Sequence, residues 1–128
     1  MDVGQCREFL RRRAERRQAG LDEQFARAWR EFRTVTSVAI EKYHPQRLYQ
    51  WGSLLNRARF WERSDIDLAV EGLTDAARFF ALYAEADRLT SFPLDLVQIE
   101  RVEPEYAELI RKNGRLVYDR ACPNRHAA

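Results

Sequence analysis

The sequence predicts an α+β fold, in which a small β-sheet packs against helices and an extended helical segment lies at the N-terminal end. Apolar residues recur at three- and four-residue steps between residues 21 and 43, as an amphipathic helix requires. Three short apolar runs follow at 47–51, 65–70 and 93–99, with the length and pattern typical of strands. Helical patterns follow the second and third runs, which favours a sheet covered by helices.

The length of 128 residues indicates one domain with a single core. Within it we expect a helical extension over residues 1–45 that packs on the domain. The core of the fold then occupies residues 46–120. Residues 121–128 are expected to form a disordered tail.

Charge and cysteine content narrow the function classes. The net charge of +2 is too small to indicate a nucleic-acid partner. The run of arginines over residues 11–17 lacks interleaved aromatics, as on the solvated face of a helix. Cys6 and Cys122 form no metal-binding or disulfide pattern. The N-terminal segment lacks the apolar stretch of a signal peptide, and no apolar run approaches the length of a membrane span. We therefore expect a cytoplasmic protein without a membrane partner.

The first amphipathic helix is predicted from Leu21 to Tyr43. Gly20 marks a possible break or bend between this helix and the charged segment before it. His44-Pro45 ends the helix, because the residue before a proline is disfavoured in the α region. Arg47–Trp51 then forms a short strand.

The second main helix is predicted from Asp75 to Leu89, with Thr74 as its N-cap. Its apolar residues are not confined to one face of the helix. Either the helix has a core face and a second face for another subunit, or the small domain buries it on two sides.

The third helix is predicted to begin at Pro104, since proline is favoured in the first helical turn. Tyr106, Leu109 and Ile110 are expected to face the core. Gly114 is a suitable residue to end the helix, and Leu116-Val117-Tyr118 forms the last strand.

Two aspartates lie on one face of the second apolar run. Because side chains alternate along a strand, Asp65 and Asp67 share a face while Ile66, Leu68 and Val70 line the other. Two adjacent carboxylates on a largely buried strand repel each other strongly unless a cation lies between them. The hard divalent cations Mg²⁺ and Mn²⁺ fit this requirement.

A third acid, Asp95, is embedded in the run 93–99. Three strand-borne carboxylates suit one or two metal ions of the kind used in phosphoryl or nucleotidyl transfer. In that arrangement Asp65 and Asp67 ligate both ions. Asp95 ligates only the ion that activates the acceptor hydroxyl, and it is the candidate to help remove that hydroxyl's proton.

A Gly-Ser turn precedes the aspartates. Gly52 lets the backbone come close to a ligand, and the residues after it can form a short helix whose free N–H groups point at phosphate. Ser53 can add its hydroxyl. Without the aspartates downstream, the same dipeptide would be an ordinary turn.

At these residues the chain resembles the minimal nucleotidyltransferases of the DNA polymerase β superfamily. Their pattern is a Gly-Ser turn, a spacer, Asp-x-Asp on the next strand and a lone Asp on a further strand, here Gly52, Ser53, Asp65, Asp67 and Asp95. The resemblance extends from about residue 47 to residue 119 and includes the closing helix, glycine and terminal strand. It implies a polymerase-β-like fold with a mixed sheet, ATP as substrate, and a triphosphate held by Gly52 and Ser53.

One departure concerns the loop after the serine. Many members have a small residue and then a glycine there, whereas this chain has Leu55 and Arg57. Arginine cannot replace a glycine that needs positive φ. Either the loop takes another path and Arg57 meets a phosphate, or nucleotide binding is impaired. Arg57 and Ser64 complete the predicted nucleotide-binding set.

The resemblance implies transfer of AMP from ATP to a hydroxyl, with Mg²⁺ or Mn²⁺ as the metal. A core this small leaves little protein to bind an acceptor, which implies a separate helical partner. That partner is a HEPN-like protein, as in toxin–antitoxin modules whose nucleotidyltransferase is the antitoxin, or a substrate-binding subunit; a homo-oligomer is a further option. The competing hypothesis is a degenerate fold that masks a helical partner without chemistry, and a nucleic-acid-binding regulator comes third.

Overall fold

A computed structural model of the chain describes residues 2–122, so most of the tail predicted over 121–128 lies outside the described residues. The elements are three α-helices and four strands. In chain order they are α1 (Val3–Val38), β1 (Arg47–Trp51), β2 (Ile66–Glu71), α2 (Ala76–Leu89), β3 (Leu94–Gln98), α3 (Pro104–Asn113) and β4 (Arg115–Asp119). The predicted α+β class and the extended N-terminal helical segment are confirmed.

The four strands form one mixed sheet in the order β3-β2-β1-β4. β1 pairs antiparallel with both β2 and β4, whereas β2 and β3 are parallel. The parallel pair needs a crossover, and α2 supplies it. The mixed sheet implied by the family resemblance is therefore present.

Helices cover both faces of the sheet. On one face, α1 and α2 contribute Phe32, Val35 and Leu82 to the main core, together with alternate residues of β1 and β2 such as Leu48 and Leu68. On the opposite face, α3 packs Ala107 and Ile110 against Tyr49 and Ala69. Because side chains alternate along β2, the α3 face is also the face of Asp67.

α1 is continuous through Gly20, so the predicted break there is wrong. A single exposed glycine costs a helix only about 1 kcal/mol relative to alanine, and strong helix formers flank it. One π-helical turn, Ala39–Tyr43, extends α1, and His44 in the left-handed region (φ 50°) ends it before Pro45, as predicted. Residues 3–20 of this helix are almost entirely exposed.

Two details of the later helices differ from prediction. Asp75, not Thr74, caps α2, and its carboxylate accepts a hydrogen bond from the backbone N–H of Arg78 at 3.1 Å. Of the α3 residues expected in the core only Ile110 is buried, whereas Tyr106 is 40% and Leu109 54% exposed. Residues 2–122 do not bury α2 on two sides, since Phe80 on its outer surface is 67% exposed.

None of the helices in residues 2–122 is both long and apolar enough to span a bilayer.

Candidate active site

The sheet register brings two of the predicted acids together. Asp67 on β2 lies directly beside Asp95 on β3 in the parallel pair, so both carboxylates occupy the face that α3 covers. Asp65 lies immediately before β2 rather than within it, and it is exposed. Its charge acts on both Asp67 and Asp95. The three aspartates therefore form one acidic cluster at the start of β2 and β3.

Partial burial of Asp67 and repulsion among the three carboxylates oppose full ionisation of this cluster. Burial, then the charge of Asp95, then that of Asp65 raise the pKa of Asp67 to about 7. Burial first, and Asp65 second, raise the pKa of Asp95. Carboxyl groups whose pKa is raised by burial and by one another are found at functional sites, which makes this cluster a candidate site.

Gly52 closes the cluster from the β1 side. Trp51 is the register partner of Asp67, so the turn after β1 passes directly against that carboxylate. A Cβ atom built at Gly52 would overlap the Asp67 Oδ2 and lie 2.9 Å from its Cγ. Gly52 also has φ 89°, a conformation that favours glycine. The close approach to Asp67 and the positive φ both explain why this position requires glycine.

The residues after Gly52 form two successive 3₁₀ turns, Ser53–Leu55 and Arg57–Arg59. Ser53 is partly exposed at the start of the first turn, next to Gly52. Such short turns leave backbone N–H groups without helical partners, as phosphate-binding turns do. The second turn is capped by Asn56, whose side chain accepts from the N–H of Ala58 at 3.0 Å.

Arg57 and Ser64, also predicted to bind nucleotide, have structural partners. The Arg57 guanidinium donates to the Asp22 carboxylate of α1, with Nε 2.8 Å from Oδ1, and lies over the Phe25 ring at 5.7 Å. Ser64 is 3% exposed, and its hydroxyl accepts from the N–H of Trp61 at 2.9 Å. Arg57 thus ties the loop to α1, and Ser64 holds the turn that leads into Asp65.

A cleft between the Gly52 turn and α3 contains residues that the sequence did not single out as site residues. Trp51 and Tyr106 lie edge to face across it, with ring centroids 6.4 Å apart. Burial, then Asp95, then Asp67 raise the pKa of Tyr106, which places its phenol beside the acidic cluster. For Trp51 the sequence offers a signal, because this aromatic residue directly precedes Gly52. For Tyr106 it offers no signal, because the position of Tyr106 in the helical pattern of α3 is compatible with the core.

The donor set fits a hard divalent cation that arrives with a phosphate ligand. All three acids provide carboxylate oxygens, and their repulsion is relieved by positive charge. Among residues 2–122 no three His, Cys, Asp or Glu side chains are already arranged to hold a metal on their own. Mg²⁺ is commonly bound by one or two carboxylates together with substrate phosphates, and this is the arrangement that the cluster suits.

Comparison with known families agrees with this geometry. The model of the family described as "Polymerase beta, Nucleotidyltransferase" matches residues 34–122, from the last turn of α1 to the end of the described chain. No curated protein matches the sequence significantly. Since the match covers more than half of the chain, this protein belongs to the polymerase β nucleotidyltransferase family. Transfer of a nucleotidyl group is the activity that the domain supports.

Proposed function

We propose that this chain is a metal-dependent nucleotidyltransferase that moves AMP from ATP to a hydroxyl group. The observation that carries the proposal is the register of Asp67 beside Asp95 with Gly52 pressed against the Asp67 carboxylate. This arrangement offers a phosphate-binding turn and a cation-demanding acidic cluster within one short stretch of sheet. Acids that serve only as surface ion pairs do not need a glycine in contact with one of their carboxylates.

In the proposed reaction the acceptor oxygen forms a bond to the α-phosphorus, the bond from that phosphorus to the bridging oxygen breaks, and pyrophosphate leaves. Mg²⁺ or Mn²⁺, held by Asp65, Asp67 and Asp95, would neutralise charge on the phosphates. Asp95, which lies beside Asp67 in the sheet register, takes the proton of the acceptor hydroxyl. Gly52 and Ser53 hold the triphosphate in line for attack.

The proposed acceptor is a hydroxyl on a separate helical protein. The chain has little surface beyond the sheet and three helices to enclose an acceptor, and the exposed Phe80 and half-exposed Tyr83 on α2 offer an apolar face for a second subunit. A HEPN-like toxin, with this chain as its antitoxin, is the partner that we propose; a substrate-binding subunit or a second copy of this chain are the alternatives. Such a pair would act in the cytoplasm.

Label transfer tests the activity. The purified chain and the product of a neighbouring reading frame that encodes a helical protein are incubated with Mg²⁺ and ATP labelled either at the α- or at the γ-phosphorus. We expect the partner to acquire label from α-labelled ATP only, with release of pyrophosphate. The variant Asp95→Asn should abolish labelling, and Asp87→Asn, an exposed aspartate of α2, should leave it unchanged.

A masking module without chemistry is the second candidate, because Arg57 is engaged by Asp22 instead of being free for a phosphate. In that case the partner would co-purify with the chain and no label would be transferred. Equal complex formation by wild type and Asp95→Asn, with no labelling by either, would favour masking over transfer.

A further inference from the structure

The first half of α1, residues 3–21, extends beyond the core of the domain. Phe25 is the first residue of the helix that packs against the main core, and residues 3–20 are almost entirely exposed. The family match begins only at residue 34. The nucleotidyltransferase domain therefore does not account for this half of the helix.

An apolar stripe runs along the exposed half of α1. Its members recur at steps of seven and four residues, which keeps them on one helical face: Val3, Leu10, Ala14 and Leu21. The same spacing continues into the residues of α1 that pack in or against the core, which are Phe25, Ala28, Phe32 and Val35. In the exposed half, however, Val3 is 70% and Leu10 56% exposed. The face that α1 buries against the domain in its second half is thus open to solvent in its first half.

A shallow groove lies along this stripe. Its volume is about 580 Å³, and the residues that line it all belong to α1: Leu10, Arg13, Ala14, Arg17, Gln18 and Leu21. Arg17 also forms an ion pair with Glu62 of the loop before β2, with Nε 3.3 Å from Oε1. The body of the domain therefore borders one end of the groove.

The unpaired positive charge of this half of α1 lies beside the stripe. Residues 3–21 contain six arginines and two glutamates. Away from the stripe, both glutamates, Glu8 and Glu15, form ion pairs with Arg11. By the helical period, Arg7 and Arg13 lie on the two sides of the stripe. Neither of them forms an ion pair with any residue between 2 and 122.

The occupant that matches this surface is an acidic amphipathic helix. The stripe from Val3 to Leu21 is about 27 Å long, which suits a partner helix of about 18 residues. Apolar side chains of such a helix would cover Leu10, and carboxylates beside them would accept hydrogen bonds from Arg7 and Arg13. A second copy of α1 would instead place arginines against arginines, because its own glutamates lie away from the stripe.

The direction of the stripe argues against a membrane surface. Phe32 and Val35 lie on the same face of α1 as Leu10, and they pack against the sheet. The body of the domain therefore lies on the side to which the stripe points, where it would obstruct a flat bilayer but leave room for a single helix. The stripe also lacks the tryptophan and phenylalanine that interfacial helices usually carry.

We propose that the groove along residues 3–21 docks an acidic amphipathic helix of a separate protein. Leu10 and Leu21 supply apolar contacts, and Arg7 and Arg13 bind the carboxylates on either side of them. The proposal does not rest on nucleotidyl transfer, so its test is independent of the test of the proposed function.

Fluorescence anisotropy with two labelled synthetic peptides tests the proposal on the full chain. Both peptides are helical, about 20 residues long, and share one leucine stripe, but one has glutamate and the other lysine beside the leucines. They are titrated with wild type, Leu10→Gln and the charge reversal Arg7→Glu/Arg13→Glu in about 0.15 M salt, which screens charges more than about 8 Å apart. The control Arg16→Glu/Arg30→Glu changes the net charge equally at exposed positions of α1 away from the stripe. Circular dichroism checks that each variant keeps its helix.

Wild type should bind the acidic peptide and not the basic one. Leu10→Gln should weaken this binding about 10-fold, as loss of a central apolar contact does. The variant Arg7→Glu/Arg13→Glu should lose the acidic peptide and bind the basic one, whereas Arg16→Glu/Arg30→Glu should bind as wild type does.

Several results would overturn the docking groove. Absence of binding by wild type, unchanged binding by Leu10→Gln, or an equal loss in the two charge reversals would each show that the stripe does not dock an acidic helix. Tighter binding of wild type to phosphatidylserine vesicles or to a short DNA duplex would assign these residues to a membrane or a nucleic acid. Dimerisation of the chain in sedimentation, abolished by Leu10→Gln, would assign the groove to a second copy.

Discussion

Gly52 and Asp67 lie in direct contact, so that no side chain fits at position 52 while the Asp67 carboxylate keeps its place. A Cβ there would overlap Oδ2, and the backbone at φ 89° and ψ −167° belongs to a region that is almost restricted to glycine. The glycine therefore allows the turn proposed to bind phosphate to lie directly against the carboxylate proposed to bind metal.

Gly52→Ala should destabilise the fold by about 1–3 kcal/mol and weaken Mg²⁺-ATP binding, since both the backbone strain and the contact with Asp67 oppose the substitution. Urea unfolding and calorimetry measure the two effects. Gly20→Ala is the control. A Cβ at Gly20 meets nothing within 4 Å, so this variant should be at least as stable as wild type and bind ATP normally. A Gly52→Ala protein as stable as wild type, with normal ATP affinity, would contradict the close contact.

Asp67→Asn should raise the stability of the metal-free protein at pH 8. The carboxylate there is partly buried and repelled by Asp95 and Asp65, whereas an amide of the same shape carries no charge. Thermal unfolding in the presence of EDTA measures the effect, and Asp87→Asn on the exposed surface of α2 should leave the midpoint unchanged. A lower midpoint for Asp67→Asn would show that the acidic cluster is already neutralised by groups of the protein.

Glu71→Gln should destabilise the protein at neutral pH by about 1–3 kcal/mol, because Glu71 is 9% exposed and joins α3 to the sheet. Burial raises the pKa of Glu71, but hydrogen bonds from Arg111 at 2.6 Å and Arg47 at 3.0 Å outweigh it, so that the pKa is lowered overall.

The pH dependence of the Glu71 effect has a definite sign. A carboxyl group with a lowered pKa in the folded state stabilises the protein above its unfolded pKa, near 4.5, and this stabilisation disappears as the pH falls through the lower folded value. The difference between wild type and Glu71→Gln in chemical denaturation should therefore be full at pH 7 and shrink below pH 4.5. If the difference in unfolding free energy between wild type and Glu71→Gln did not change with pH, the substitution would act through packing and not through the charge of Glu71.

Arg57→Ala and Arg59→Ala should have different effects although the two residues share a turn. Loss of the partly exposed ion pair with Asp22 should cost Arg57→Ala at most about 1 kcal/mol of stability and leave ATP affinity unchanged. Arg59 is exposed and lines the cleft beside Gly52, so Arg59→Ala should weaken binding of both Mg²⁺-ATP and inorganic tripolyphosphate about 10-fold in calorimetry. If Arg57→Ala weakened ATP binding as much as Arg59→Ala, the loop would have to rearrange on binding and release Arg57 from α1.

The sequence predicts most elements of this fold because their signals are local. Pro45 marks the end of the first helical segment, Pro104 and Gly114 bound α3, and the alternating pattern around Asp67 identifies β2. The order of Gly52-Ser53, Asp-x-Asp and the lone Asp95 was enough to indicate the family, and the match over residues 34–122 agrees.

The remaining errors concern interactions between distant residues. The helical period places Tyr106 and Leu109 beside Ile110, but which of them is buried depends on where α3 lies over Tyr49 and Ala69. The partner of Arg57 is Asp22, 35 residues away along the chain, and no spacing rule indicates that contact. The cleft beside Gly52 is not predicted for the same reason, since Trp51 and Tyr106 meet only once the sheet and α3 have packed.

The most direct test of the account is calorimetry of ATP binding with and without Mg²⁺ to wild type and to the double variant Asp65→Asn/Asp67→Asn. The acidic cluster is proposed to bind nucleotide through the metal, so wild type should bind ATP only when Mg²⁺ is present, and the folded double variant should not bind it. Equal binding by both proteins, or binding that is independent of Mg²⁺, would contradict the central claim that these aspartates form a metal-dependent nucleotide site.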